Sequence, residues 1–178
     1  MSPAPSVHLA LVGMMGSGKT TVGRRVAAAL HRVFFDSDEM IEAREGRTVR
    51  EIWLERGEPA YRALETQVLQ EAMSGQEPAV IAAAGGVVLR ETNRRLLVAQ
   101  NVFTVCLLVD PAVLLSRVGH HVHRPLLDDD PAATLQRLAT EREALYEEVA
   151  DATVEVGDRD AEAVTAEVLE LVAAREGA

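Results

Sequence analysis

The 178-residue sequence has one cysteine, Cys106, and one lysine, Lys19, beside seventeen arginines. A single cysteine excludes an intramolecular disulfide and cannot by itself build a zinc-bearing lid. Cys106 lies in the apolar run Val102 to Val109, where a buried, inert thiol is expected. No apolar stretch is long enough to span a membrane, so no membrane role is expected. Met1 to Ser6 carry neither the basic region nor the apolar core of a secretory leader, so the expectation is a cytoplasmic protein. Net charge is −10 with no basic stripe, which argues against nucleic acid as a partner. Internal repeats and low-complexity linkers are also missing. The remaining composition, 48% hydrophobic and 26% charged, is that of a globular chain of one domain, residues 1–178.

The lone lysine sits in Gly13-Met14-Met15-Gly16-Ser17-Gly18-Lys19-Thr20. Where basic positions have gone to arginine, a retained lysine marks a place that needs a compact ammonium rather than a planar guanidinium. The spacing G-x-x-x-x-G-K-[ST] is that of a phosphate-binding P-loop. Its flanks fit: His8 to Val12 reads as a buried strand, and Thr20 to Leu30 as a helix with Val22, Val26, Ala29 and Leu30 on one side. Loop N–H groups and the helix N-terminus hold phosphate oxygens. Lys19 reaches the β- and γ-phosphates, and the Thr20 hydroxyl can ligate Mg²⁺. The implied ligand is a nucleoside triphosphate; a glycine-rich turn without a ligand is the alternative. A guanine-reading Asn-Lys-x-Asp pattern would need a second lysine, which argues against a GTPase-like switch.

Strand-like runs at His8–Val12, Val33–Asp36, Val80–Ala84, Val102–Val109 and Thr153–Val156 alternate with helical patterns. The pattern predicts an α/β fold, a five-stranded parallel sheet with helices on both faces. Asp38 to Met73 is helical without a strand and reads as an insertion beside the core. Gly119 to Pro131 is irregular, and such segments are often lids.

Several residues break their local pattern. Arg142 lies within the apolar stripe Leu135, Leu138, Leu145 and Val149, so it must be ion-paired, reach outward or face a ligand. In Gly57 to Glu65, Pro59 falls near the first turn of a helix whose apolar side is Tyr61, Leu64, Val68 and Ala72. Glu65 is expected at the edge of that side, where it either orients Arg62 or forms an exposed pair of little consequence. Asp36-Ser37-Asp38 ends the second strand, where ligands bind in open α/β sheets; a helix cap by Ser37 or Asp38 fits equally. Ala84-Gly85-Gly86 ends the third strand and lets a ligand approach backbone N–H groups, or is an ordinary turn. Arg124 could close over a transferring phosphate from the irregular segment. His120, His121 and His123 there read as solvated, not as metal ligands.

These motifs, in order, resemble the shikimate kinase family over nearly the whole chain: Gly13–Thr20, Asp36–Asp38, Gly57–Glu65, Ala84–Gly86, Arg124-Pro125-Leu126-Leu127 and Arg142-x-x-Leu145-Tyr146. The resemblance implies a nucleoside-monophosphate-kinase-like, three-layer P-loop kinase fold with a substrate-binding region near 37–65 and a lid near 119–131. It implies Mg²⁺-dependent transfer of the ATP γ-phosphate to the 3-hydroxyl of shikimate, a step toward aromatic amino acids, by a monomer. Carried over, Met15, Gly16, Ser17, Gly18, Lys19, Thr20 and Thr21 hold ATP, with Arg117 at the adenine and Arg159 in the adenine loop. Thr20 ligates Mg²⁺, with Asp36 assisting through water. Asp38 binds acceptor hydroxyls and is the candidate base. Arg62 and Arg142 pair with the shikimate carboxylate, Gly85 and Gly86 offer backbone contacts, and Arg124 meets the phosphates from the lid.

Three positions depart from the family pattern. Ala84 stands where a third glycine is usual, harmless if its φ is negative. Tyr61 replaces a more usual phenylalanine and brings a hydroxyl that needs a partner. Ala161 stands where some relatives have proline. The competing expectations are another P-loop small-molecule kinase, such as a gluconate kinase, and a nucleotide-binding protein without catalysis.

Overall fold

The computed structural model describes residues 7–118 and 130–177. Five parallel strands, β1 (His8–Val12), β2 (Val33–Asp36), β3 (Ala79–Ala82), β4 (Val102–Leu108) and β5 (Ala152–Glu155), form one sheet in the order β2-β3-β1-β4-β5. Strand β1 is central, with Ala10 opposite Ile81 on one side and Thr104 on the other. Its five residues are all buried, which is why it reads as a continuous apolar run instead of an alternating one.

The helices are α1 (Lys19–Leu30), α2 (Ser37–Glu45), α3 (Val49–Met73), α4 (Glu91–Leu97), α5 (Pro111–Val118), α6 (Pro131–Val149) and α7 (Ala161–Glu176). Helix α1 packs on α7 and over β1 and β3. Gly23 is required there, because a Cβ would fall 2.6 Å from the Phe34 ring. Helix α4 contacts both α3 and α6, and α4 and α6 also pack on β4. Helix α3 starts at a capping box made by Thr48 and Glu51 and breaks at Gly57, whose φ of 78° suits glycine. The break puts Pro59 in the first turn of the second half, where its missing N–H costs nothing.

The five strands fall where the apolar runs predict them: β1 and β2 match to the residue, and the ends of β3, β4 and β5 are displaced by at most two residues. Strand β3 stops at Ala82, short of the expected Ala84, because the chain turns into Ala84-Gly85-Gly86. One local expectation is corrected: the cap of α2 is Asp36, not Ser37 or Asp38. Its Oδ1 accepts from the backbone N–H groups of Asp38 at 3.0 Å and Glu39 at 3.3 Å. Arg124, the three histidines and all but the end of the expected lid lie outside the described residues.

Candidate active site

The chain passes from β1 to α1 through the glycine loop at the carboxyl edge of the sheet, where β1 has β3 on one side and β4 on the other. Gly13, Gly16 and Gly18 all have positive φ, and a Cβ on Gly13 would fall 2.5 Å from the Leu107 carbonyl oxygen. The Lys19 ammonium lies along the loop, donating to the carbonyls of Gly13 at 2.8 Å and Met14 at 2.9 Å. Met15 is buried, with its backbone nitrogen against Gly85. Gly16 to Thr21 line a cleft of about 420 Å³ that also takes in Asp36, Asp38, Gly85, Arg117 and Arg159. The two cleft arginines are held from behind: Arg117 donates to the Gly157 carbonyl, and Arg159 to the Glu155 carbonyl and the Glu167 carboxylate.

At the mouth of α1, Thr20 Oγ1 donates to Asp36 Oδ2 at 2.6 Å. This pair offers two adjacent oxygens in the cleft. Mg²⁺ takes few protein ligands and completes its shell with water and phosphate oxygens, so the pair suits it. Among the described residues no group of three or more His, Cys, Asp or Glu side chains is placed to hold a metal ion.

Ser37, which the sequence offered only as a helix cap, fastens this edge to the glycine turn. Its hydroxyl donates to the Ala82 carbonyl at 3.0 Å and accepts from the Ala84 N–H at 3.1 Å. Ala84 has no positive φ, so its methyl is tolerated. Asp38, one residue further along α2, accepts from the Tyr61 hydroxyl at 2.8 Å. That supplies the partner the unusual tyrosine needs.

Beyond Tyr61, Arg62 is buried and its Nη1 donates to both oxygens of Glu65, at 2.8 and 2.7 Å. Nε and Nη2 donate to Glu58, at 3.1 and 3.0 Å. Burial pulls the guanidinium's pKa down, but the two carboxylates overcome it and hold it above its ordinary value. Glu65 is 1% exposed, not at the helix edge as expected. Burial pushes its carboxyl up, opposed by Arg62 and more weakly by Arg142. Glu58, four residues before Arg62, was legible as a helical i,i+4 partner.

Arg142 arrives from α6 and is 2% exposed, with no hydrogen-bond partner for its Nε among the described residues. Its Nη1 lies 3.5 Å from where a Cβ on Gly85 would stand, and a Cβ on Gly86 would fall 1.9 Å from Nη1 of Arg62. The two glycines thus open the backbone onto two buried guanidiniums, Arg62 ion-paired to Glu65 and Arg142 acting on that carboxyl only through its charge. Tyr146, one turn after Arg142, donates to the Gly85 carbonyl at 2.5 Å, and burial pushes its phenol up to about 12. The arrangement is a glycine loop with its lysine facing a carboxylate, with the buried guanidiniums of Arg62 and Arg142 behind it.

Comparison with known proteins agrees with this geometry. The family model described as shikimate kinase matches residues 15–173. A shikimate kinase from Halorhodospira halophila is 45% identical over 161 residues, covering 90% of each chain. The solved shikimate kinase from Acinetobacter baumannii in complex with shikimate superposes with a TM-score of 0.92 at 37% identity, covering 96% of this chain and 95% of that one. A gluconokinase from Sinorhizobium meliloti, at 20% identity and a TM-score of 0.57, shares the fold alone, covering 98% of this chain and 95% of that one. The chain belongs to the shikimate kinase family.

Proposed function

We propose that the family's reaction, transfer of the ATP γ-phosphate to the 3-hydroxyl of shikimate, is divided among this chain's residues as follows. The loop from Met15 to Thr21 holds the triphosphate, with Lys19 on the β- and γ-phosphates. Arg117 and Arg159 hold the nucleotide's adenine end. Thr20 and Asp36 hold Mg²⁺, which would neutralise charge building on the phosphates. Arg62 and Arg142 receive the acceptor's carboxylate, each guanidinium offering a fork of donors. Gly85 and Gly86 let the acceptor lie against the backbone, and Asp38 takes the proton from the attacking hydroxyl. Phosphoryl transfer depends on positioning and charge neutralisation, and this cationic lining provides both for two anionic reactants.

The observation that carries this reading is the buried guanidinium of Arg142, beside the Arg62–Glu65 pair and an open glycine backbone. A structural ion pair supplies a carboxylate for its cation. Arg62 has Glu58 and Glu65, whereas Arg142 is buried with its Nε unpartnered and no ion pair among the described residues, which suits an incoming carboxylate. The proposal extends to a cytoplasmic monomer with one kinase domain, its acceptor region at 37–65. Arg124 and the lid at 119–131 rest on the family resemblance. Among the described residues no helix is long and apolar enough to cross a membrane. A coupled ADP-release assay with ATP, Mg²⁺ and a panel of hydroxy acids tests the reading. Turnover with shikimate is expected; turnover with gluconate and none with shikimate would overturn it.

A further inference from the structure

The terminal torsion of an aspartate is broad, so a carboxylate that must meet a substrate hydroxyl at one angle needs something to hold it. Asp38 stands in the first turn of α2, while its partner Tyr61 stands on α3. Tyr61 is itself rigidly placed. Its ring is 5% exposed, packs in a cluster with Ile41, Ile52, Leu64 and Val68, and tilts against Trp53 at 5.4 Å between centroids. A phenol donates in the plane of its ring, so a fixed ring gives a fixed donor direction.

We propose that Tyr61 is a positioning residue for the acceptor step: its hydroxyl, donated to Oδ1 of Asp38, fixes the rotation of that carboxylate toward the acceptor's hydroxyl. The inference rests on the reading of Asp38 as the base. Tyr61 is not itself a base. Burial, and then the negative charge of Asp38, raise its phenol well above the ordinary value, so it stays a donor throughout the working range. Arg62 is its neighbour in sequence, so one turn of α3 sets both the angle of the base and the clamp for the acceptor's carboxylate. An acceptor held at one end is thereby met at the other by a carboxylate fixed to the same helix.

The charged groups around Asp38 are Asp36 two residues earlier, Arg62 and Glu65 on α3, and Lys19, Arg117 and Arg159 lining the same cleft. Removing the Tyr61 hydroxyl leaves all of them in place. Tyr61→Phe keeps the ring and its packing, so the variant is expected to fold with an unchanged melting temperature or a small loss. The single-turnover transfer rate with shikimate should fall about threefold or more, while KM for ATP holds. A merely structural tyrosine would lower stability and leave the single-turnover rate of the folded enzyme unchanged. Tyr61→Phe with the parent transfer rate overturns the inference, as does a loss found wholly in the KM for shikimate. Asp38→Asn, run alongside, separates the two readings. Loss of transfer there together with a parent-like Tyr61→Phe overturns this inference alone, and transfer that survives Asp38→Asn overturns both.

Discussion

Gly86→Ala is the smallest change that tests the acceptor pocket. The added Cβ would lie 1.9 Å from Nη1 of Arg62, 2.4 Å from Cζ and 2.6 Å from Nη2. Non-bonded heavy atoms settle near 3.5 Å or more, so the guanidinium has to retreat by more than about 1.5 Å. Its bonds from Nη1 to Glu65, now 2.8 and 2.7 Å, do not survive such a shift. Glu65 is 1% exposed and has no water to replace them. Breaking a buried pair outright costs about 3–5 kcal/mol. The long Arg62 side chain can adjust and recover part of the pairing, so about 2–4 kcal/mol is expected. For a domain of this length that lowers Tm by roughly 5–15 °C. Binding suffers separately, because one of two guanidinium forks is displaced, and KM for shikimate should rise about 10- to 100-fold. KM for ATP should stay within about twofold, since the P-loop is untouched. Thermal melts and steady-state kinetics read both effects. Gly86→Ala with parent Tm and parent KM for shikimate would refute the placement of Arg62 and its assignment to the acceptor.

Arg142→Leu places an apolar side chain among Leu135, Leu138 and Tyr146, and replacing a buried charge in this way is often neutral for stability. KM for shikimate is expected to rise about tenfold or more and KM for ATP to hold; shikimate binding that is unchanged or tighter would make Arg142 purely structural. Burial pushes the Cys106 thiol up to about 11, with Lys19 opposing. The thiolate is the reactive form, so a thiol reagent near pH 7.5 should label the folded chain far more slowly than the unfolded one. Prompt stoichiometric labelling of the folded protein would contradict the burial of Cys106.

What the sequence made legible was whatever depends on near neighbours along the chain. β1 and β4 announce themselves as apolar runs because both their faces are covered, and the P-loop because its geometry is local to eight residues. Arg142 was visible as a charge in an apolar stripe. Its purpose was not, because Glu65 and Gly85 come to it from other elements. Glu65 looked like a helix-edge residue because periodicity describes one helix, whereas its burial depends on what packs against that helix. The Tyr61 hydroxyl clearly needed a partner, yet only the packing of α2 on α3 says that the partner is Asp38. Ser37 signalled only a helix cap, since a serine beside two aspartates reads that way, and its real contacts are the end of β3 and the turn after it.

The Ser37 hydroxyl uses its proton on the Ala82 carbonyl and a lone pair on the Ala84 N–H. The residues on either side of it turn to different tasks, Asp36 to Thr20 and Asp38 to Tyr61. Pinning the middle of three consecutive residues makes them a gauge block. The backbone beneath the Asp36 and Asp38 carboxylates, the groups proposed to serve the metal and the acceptor, is thus pinned and not part of a movable loop. On the same proposal the far jaw of the calliper is Arg62 and Arg142, carried on α3 and α6. A longer or shorter hydroxy acid therefore cannot be met by adjusting Asp38. Any drift in acceptor size has to be written into those two helices, which is where a search for altered specificity in this chain should begin.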